Sequence, residues 1–334
     1  MPTIAFFNNK GRVGKTSLVF HLSWMFRQLG HTVLAVDLDP QANLTSMFFD
    51  DETLESLWPD DAPHEGTIHT ALQRLMRGRG DVVTPVVHEI VTGLNVVAGD
   101  LALSGFEDKL SGDWPKCLDR DESAFRTTTA FSRAIGRAKV LAEAKWVLVD
   151  VGPNLGAINR AALIACDYIV VPLAPDLFSI QGLRNLGPTL TRWRSEWSER
   201  RARAPVDMGF RPPEGKMEPL GYVVMQYAIK VSDSPVKAYT KWMARIPNEY
   251  AKSVADSADS AGDNPAKDAN CLALLKHYRS LIPMAMEARK PIFNLKSGDG
   301  AIGSHLYAVE AAKDDFTRLA KKIITRVGQR EVQE

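Results

Sequence analysis

The sequence has few cysteines and no long apolar run. Its three cysteines, Cys117, Cys166 and Cys271, form no C-x-x-C pair and have no histidine at metal-ligand spacing. This argues against a zinc site and against a disulfide framework. No apolar run approaches the roughly 18 residues that span a bilayer, and the first residues lack the basic and apolar regions of a signal peptide. We therefore expect a soluble, cytoplasmic protein.

An excess of charge of either sign is also missing. The 334 residues include 41 Lys and Arg against 40 Asp and Glu. This balance excludes a chain that coats nucleic acid by bulk charge, so any such contact must come from a local patch. The hydrophobic content of 45% is ordinary for a globular protein and is enough for a sizeable core.

Short apolar runs recur between helical stretches and predict β-strands. Runs of Val, Ile and Leu without alternation are typical of strands that are buried on both faces. The predicted fold class is therefore α/β, a doubly wound, mostly parallel sheet flanked by helices. The predicted strands are Ile4 to Phe7, Val33 to Val36, Leu94 to Ala98, Trp146 to Val151, Tyr168 to Leu173, Leu220 to Met225 and a short piece near Leu281.

The first long helix is predicted from Thr16 to Leu29, because Gly30 is a C-cap signal. Stretches rich in charge, proline or small polar residues predict insertions near residues 50–90, 200–219 and 255–268. None of them is a linker long enough to separate two domains. Residues 1–334 are therefore predicted to form a single domain.

The segment between the first strand and this helix has the pattern of a phosphate-binding loop. It reads Asn9-Lys10-Gly11-Arg12-Val13-Gly14-Lys15-Thr16. Backbone N–H groups and the positive helix end can hold phosphate oxygens. Lys15 would lie along the β- and γ-phosphates, and the Thr16 hydroxyl would coordinate Mg²⁺. Asn9 stands where the general pattern has its first glycine, and the competing interpretation is a strand–helix turn with chance lysines.

Carboxylates follow two other predicted strands. Asp37 and Asp39 come at the end of the second strand, and Asp150 ends the apolar run that begins at Trp146, in the form of a Walker B element. Either segment alone could supply an ordinary capping residue. The carboxyl ends of parallel strands meet in one crevice, however, so we expect these side chains to lie beside the phosphate loop. Asp150 would there hold Mg²⁺.

These motifs resemble those of the ParA/MinD family of deviant Walker A P-loop ATPases, in which a second lysine precedes the glycines. Lys10 to Thr16 is similar to that loop, Asp37 to Asn43 matches the segment that follows in ParA/Soj-like partition proteins, and Asp150 to Gly156 resembles their Walker B and switch II. Weaker similarity continues through Ala285 to Pro291 and Gly300 to Gly303. The resemblance spans nearly the whole chain outside the insertions.

The resemblance implies an enzyme that binds ATP with Mg²⁺ and hydrolyses it slowly, as a homodimer that sandwiches ATP. Lys10 would reach the phosphates across the dimer and support hydrolysis with Lys15. Asp39 would position or activate the attacking water, whereas Asp37 is either a second such carboxylate or a structural one. The implied metal ligands are Thr16, Asp39 and Asp150. The implied nucleotide-binding residues are Lys10, Gly11, Arg12, Val13, Gly14, Lys15, Thr16 and Ser17.

Arg12 departs from the family pattern, which usually has glycine at this position. If the position requires a positive φ, arginine there would cost on the order of 1 kcal/mol. Its guanidinium could also lie over the nucleotide or over the partner subunit. The departure leaves nucleotide binding in place and bears on the rate of hydrolysis.

A basic stretch is a candidate DNA-binding surface, because the resemblance implies non-sequence-specific DNA binding by the ATP dimer. Trp193 and Trp197 share a helix face that we expect to pack inward and to leave the arginines outside. A solvated basic helix explains the same residues. The candidates are Arg184, Arg192, Arg194, Arg200, Arg201, Arg203, Lys237, Lys241 and Arg245.

The C-terminal segment from Phe316 to Val327 has apolar residues at helical spacing with basic residues around them. MinD-type proteins end in a basic amphipathic membrane helix. Core packing of a last helix explains the same pattern, and the tail closes with the acidic residues Glu331 and Glu334. We therefore favour core packing and expect no membrane binding.

Two function classes follow from these interpretations. The first is an ATPase that partitions or positions DNA or another cargo, cytoplasmic or nucleoid-associated, with a ParB-like or cargo adaptor protein as a partner. The second is a nucleotide-switched regulatory or assembly protein of MinD-like type, which acts through protein or membrane contacts. ATP-dependent binding to random-sequence DNA would separate them.

Overall fold

The computed structural model describes residues 1–11, 13–227, 236–257, 262–278 and 280–333. Within these ranges one sheet is flanked by helices. Its strands are β1 (Thr3–Phe6), β2 (Val33–Asp37), β3 (His88–Val91), β4 (Leu94–Val97), β5 (Trp146–Asp150), β6 (Tyr168–Leu173), β7 (Glu218–Tyr227) and β8 (Cys271–Lys276). The helices are α1 (Lys15–Gln28), α2 (Asn43–Phe48), α3 (Asp51–Leu57), α4 (Ile68–Met76), α5 (Glu107–Asp113), α6 (Glu122–Thr128), α7 (Ala130–Leu141), α8 (Ala157–Ile164), α9 (Leu177–Ala202), α10 (Val236–Ser253), α11 (Leu281–Glu287) and α12 (Ser304–Gln333).

The strand order is β3-β4-β2-β5-β1-β6-β7-β8. Neighbouring strands are parallel, except that β3 pairs antiparallel with β4 at one edge. The chain leaves β1 and builds the sheet outward on both sides of it, which opens a crevice at the carboxyl ends of β1, β2 and β5. The predicted α/β class with a mostly parallel sheet flanked by helices is confirmed.

Alternate residues of each central strand enter two different cores, one on each face of the sheet. In β1, Ala5 packs with one cluster and Ile4 and Phe6 with the other, and all three are fully buried. This is the arrangement that apolar runs without alternation predict. The central strands therefore hold their carboxyl ends rigidly, and the residues that follow them are positioned by the sheet.

Six of the predicted strands are present, with ends that differ by at most two residues. The strand predicted near Leu281 is wrong, because Leu281 begins α11, in which the buried residues Leu281 and Ala285 are four positions apart on one helical face. The last strand is instead β8, which the sequence analysis missed. It also missed β3, whose residues are exposed or half-buried and lack the apolar signature.

Residues 50–90 contain α3, α4 and the first residues of β3, and α4 contributes buried residues to the core. Gly30 follows α1 with φ of 88°, as its C-cap signal predicts. In α12, Phe316, Leu319 and Ile323 are buried against the sheet, so the core-packing interpretation of this segment is confirmed. No described helix is both long and apolar enough to cross a membrane. All three cysteines are buried and free.

Candidate functional site

The phosphate-loop segment lies between the end of β1 and the start of α1. Gly14 is the residue that precedes α1 and has φ of 81°, a left-handed conformation that strongly favours glycine. No described side chain caps the N-terminus of α1. Its first backbone N–H groups and the positive end of its dipole are therefore available to an anion.

Lys15 is 6% exposed and is folded back over this loop. Its Nζ donates to the carbonyl oxygen of Asn8 at 3.2 Å and approaches that of Lys10 at 3.4 Å. Burial lowers the pKa of Lys15, while the neighbouring carboxylates of Asp150 and Asp39 oppose that shift. Within the described part of the chain, Lys15 Nζ contacts carbonyl oxygens alone, so its charge next to the uncapped start of α1 is suited to phosphate.

Lys10 points away from the loop in the single chain. Its Nζ forms an ion pair with Asp176 and lies 5.8 Å from the centre of the Phe178 ring. Asp176 also caps α9, since its carboxylate accepts from the backbone N–H of Ser179 at 2.8 Å. Asp176 was not among the predicted site residues, although an acidic residue directly before a helix is a typical N-cap.

Asp37 and Asp150 end two neighbouring parallel strands and lie opposite each other in the register of the sheet. Asp37 is fully buried and accepts hydrogen bonds from both the backbone N–H and the hydroxyl of Thr45, at 2.9 and 2.7 Å. It also accepts from the backbone N–H of Asp39 at 3.2 Å. Burial raises the pKa of Asp37 to about 7, against the hydrogen bonds from Thr45. These contacts hold the Asp37 carboxylate in place and favour the structural interpretation of this residue.

Asp150 differs from Asp37 because neither of its buried carboxylate oxygens has a partner at hydrogen-bond distance among the described residues. Burial, with the neighbouring charge of Asp37, raises the pKa of Asp150 well above its usual value. The Thr16 side chain nevertheless lies close enough to act on the Asp150 pKa, which it lowers against the effect of burial. A buried carboxylate with both oxygens unpaired is costly unless a ligand completes it. Oxygen donors are the ligands that Mg²⁺ prefers. The residues present therefore fit a Mg²⁺ site at Asp150, with the Thr16 hydroxyl beside it on the cavity wall.

Asp39 is 6% exposed and lines the same cavity. One carboxylate oxygen accepts from the backbone N–H of Gln41 at 3.0 Å, and the Asp39 carbonyl accepts from Ala42 at 2.8 Å. Ala42 has φ of 50°, so the chain turns sharply here before α2 begins. The turn fixes the direction of the Asp39 carboxylate relative to the loop.

The loop after β5 is pinned by two polar side chains that the sequence analysis missed. Asn159 of α8 donates to the carbonyl oxygens of Gly152 and Asn154 at 2.8 and 2.7 Å. Glu107 caps α8 by accepting from the backbone N–H groups of Ala157 and Ile158 at 2.5 and 2.9 Å. Pro153 thereby reaches the cavity wall. No sequence signal links Glu107 to α8, because the two lie 50 residues apart.

The phosphate-loop segment, Asp39 and Pro153 line a cavity of about 560 Å³ at the carboxyl edge of the sheet, a volume typical of small-molecule sites. One half is polar and holds the loop, Lys15, Thr16, Ser17 and Asp39. The other half is mainly apolar and is lined by Phe20, Met47, Ile282, Ala285, Met286 and Ile292. Such a division suits a ligand with an anionic end and a flat, weakly polar end. Arg12 lies outside the described residues.

The candidate DNA-binding residues differ in how exposed they are and in whether an acidic residue neutralises their charge. Contrary to the expectation that it faces outwards, Arg200 is 7% exposed, because its guanidinium donates to the carbonyl of Trp114 at 2.9 Å and lies over that ring. Trp193 and Trp197 are buried as predicted. Arg184 pairs with Glu249 and Arg203 with Glu199.

The remaining candidates carry charge at or near the surface. Arg192 is exposed and only 3.9 Å from Glu196, Arg194 is half-buried and Arg201 is exposed. Lys241 and Arg245 lie beside the Trp242 ring, each at 5.1 Å. The side chain of Lys237 lies outside the described residues. The geometry therefore reduces the arginine set of α9 to residues 192, 194 and 201.

Comparisons with known proteins identify the family and the fold. A family model described as an AAA domain matches residues 1–201. Chromosome partitioning protein ParA of Caulobacter vibrioides is 27% identical over 200 residues, which are 60% of this chain and 66% of that protein. A solved structure from Corynebacterium diphtheriae covers 98% of this chain and 99% of its own, with a TM-score of 0.69 and 24% identity. A Borrelia burgdorferi protein described as a plasmid partition protein and bound to AMPPNP covers 98% and 100%, with a TM-score of 0.60 and 13% identity. These two structures support the fold.

Proposed function

The chain belongs to this AAA-domain family and is a ParA-like member of the ParA/MinD ATPases, and on that basis we propose that it binds ATP with Mg²⁺, hydrolyses it slowly and dimerises on ATP. We further propose that the ATP dimer binds DNA without sequence specificity and thereby partitions or positions DNA or another cargo. A ParB-like or cargo adaptor protein would stimulate hydrolysis.

The unpaired carboxylate of Asp150 carries the proposal. It is fully buried at the end of β5, close enough to Lys15 and to the Thr16 side chain, in the first turn of the uncapped helix α1, for both to act on its pKa. In the proposed complex, the loop N–H groups and Lys15 hold the phosphate oxygens, and Asp150 and Thr16 hold Mg²⁺. Bound Mg²⁺ would neutralise charge on the β- and γ-phosphates. The cavity wall contributed by α11 would cover the base and sugar.

Asp39 is proposed to orient the attacking water, and it also stays in the proposed Mg²⁺ set with Thr16 and Asp150. Its carboxylate faces the cavity and is held by the turn at Gln41. Phosphoryl transfer in such sites depends mainly on positioning and on charge stabilisation. Lys10 would exchange its ion pair with Asp176 for a contact with the phosphates across the dimer, which adds a second cation at the γ-phosphate.

Isothermal titration calorimetry with ATP and Mg²⁺ tests the nucleotide proposal. Lys15→Ala should reduce ATP affinity at least 100-fold, because it removes the fixed charge on the phosphates, roughly 3 kcal/mol or more. Lys145→Ala is the matched control, since Lys145 is exposed and directly precedes β5, at the opposite edge of the sheet. Wild-type affinity in Lys15→Ala, or no binding by the wild type, would exclude a phosphate-loop nucleotide site.

Retention of random-sequence DNA in the presence of ATP and Mg²⁺ tests the DNA proposal. Replacing Arg192, Arg194 and Arg201 with alanine should weaken DNA binding. The slope of log K against log salt should become less steep by up to about 2.7, at about 0.9 per lost phosphate contact. A second triple variant removes the same charge from the exposed residues Arg74, Arg77 and Arg79. Equal effects of the two variants would refute this surface, and no ATP-dependent retention by the wild type would favour the MinD-like alternative.

A further inference from the structure

His21 lies within α1 and lines the same cavity, in which polar residues of the loop and apolar residues of α11 also take part. It is 2% exposed, and both ring nitrogens have partners. Nδ1 lies 2.6 Å from the carbonyl oxygen of Ser17, and Nε2 accepts from the backbone N–H of Ile292 at 3.1 Å. A carbonyl can only accept, and a backbone N–H can only donate. These partners therefore assign the proton to Nδ1 of a neutral imidazole.

The two hydrogen bonds connect segments that are far apart in the sequence. Ser17 belongs to the first turn of α1, which faces the phosphate half of the cavity. Ile292 follows α11, whose Ile282 and Met286 form the apolar wall. The imidazole thus spans the distance between the phosphate loop and the wall that faces it.

Aromatic packing fixes the orientation of this ring. His21 stacks on Phe316 of α12, with ring centres 4.8 Å apart and planes inclined by 15°. The edge of the ring also meets Phe293 at 5.9 Å. Burial lowers the pKa of His21 to about 4, so the ring stays neutral and keeps both hydrogen bonds near neutral pH. The contact is therefore rigid and independent of physiological pH.

We propose that His21 is a positioning residue that holds the apolar wall of the cavity against the phosphate loop. It thereby contributes to the affinity for the base and sugar of a nucleoside triphosphate, and it does not contribute to the affinity for the phosphate chain. The inference rests on the proposed nucleotide function of this cavity. A neutral side chain outside the phosphate loop thus couples the two halves of one site.

The test compares Mg²⁺-dependent binding of ATP and of inorganic tripolyphosphate, which has the phosphate chain alone. His21→Phe keeps a ring on Phe316 but loses both hydrogen bonds, and should weaken ATP binding about tenfold while tripolyphosphate affinity changes less than twofold. His21→Gln retains an acceptor for the Ile292 N–H and should lie between wild type and His21→Phe. KM for ATP should rise with kcat unchanged.

His31→Phe is the matched control, because His31 is half-buried beyond the C-terminal end of α1 and packs against Trp146. Equal losses for ATP and tripolyphosphate in His21→Phe and His21→Gln would overturn the inference, as would unchanged ATP affinity in both. If His21→Phe does not fold, the ratio of the two affinities in His21→Gln decides. A wild type that binds neither ligand would instead refute the nucleotide function itself.

Discussion

Replacing Asp150 with asparagine should stabilise the unliganded protein while removing its response to Mg²⁺ and ATP. Asparagine has the shape of aspartate, and the carboxylate makes no hydrogen bond with any described residue that the exchange could break. A group whose pKa is raised in the folded state stabilises the fold below its unfolded pKa, and this contribution is lost as the pH rises through the folded value. The advantage of Asp150→Asn should therefore be small at pH 5 and larger at pH 8.

The magnitude follows from the surroundings of Asp150. An uncompensated buried charge costs about 3–5 kcal/mol, and Lys15 offsets part of that cost. We expect the net gain of Asp150→Asn at pH 8 to be about 2 kcal/mol. For 334 residues, an unfolding entropy of about 2.1 cal/mol/K per residue converts this into a rise in Tm of about 3 °C.

Differential scanning calorimetry at pH 5 and pH 8, with and without ATP and Mg²⁺, measures both effects. At 100 times Kd, nucleotide should stabilise the wild type by about 2.7 kcal/mol, roughly 4 °C for this chain length. Asp150→Asn should show little of this Mg²⁺-dependent increase. A lower Tm of the unliganded variant at pH 8 would mean that the electrostatic attraction between Asp150 and Lys15 outweighs desolvation. An undiminished response to Mg²⁺ and ATP would refute the assignment of Asp150 as a metal ligand.

Three further substitutions test other parts of the structure. Asp39→Ala should bind ATP within a few-fold of wild type but release phosphate at least 100-fold more slowly and accumulate as an ATP-bound dimer in size-exclusion chromatography; wild-type turnover would assign the water to another group. Thr45→Val removes a buried hydroxyl that donates to the carboxylate of Asp37, and should lower the free energy of unfolding in urea by about 2 kcal/mol. Thr45→Ser keeps a hydroxyl and should retain most of the wild-type free energy of unfolding. Gly187→Ala would place a methyl group 1.5 Å from the carbonyl oxygen of Ser253, and should lower the free energy of unfolding by about 3 kcal/mol or more. The control Gly136→Ala, with open space around it in α7, should be neutral or stabilising. Equal melting temperatures of the two variants would refute the close approach of α9 to α10 at Gly187.

The elements that the sequence predicted well are those whose signal is local. The apolar runs of β2 and β5 identify themselves, and the acidic residues at their ends then fall together because parallel strands share one carboxyl edge. Asp37 and Asp150 have the same residue type and the same place in their strands. Their different hydrogen-bonding surroundings depend on Thr45, which reaches one carboxylate and not the other. That difference is tertiary and has no counterpart in the strand pattern.

The parts that could not be predicted depend on contacts between distant segments. Arg200 reads as one more surface arginine in a basic helix, yet the ring of Trp114 draws it into the interior. The ion pair between Lys10 and Asp176 joins residues that only the sheet brings together. Leu281 begins a short apolar run that suits a strand or a helix, and its packing decides for the helix.

Because all three cysteines are buried, the reactivity of their thiols can be used to measure unfolding of the protein. Cys117, Cys166 and Cys271 are at most 4% exposed, and burial raises the pKa of each thiol, to about 11 for Cys271. Because the thiolate is the reactive form, a maleimide reagent should modify the native chain only when it unfolds. The rate of labelling then measures how often the two cores come apart. A single cysteine introduced at an exposed site would also be labelled selectively, without removing any of the three native cysteines.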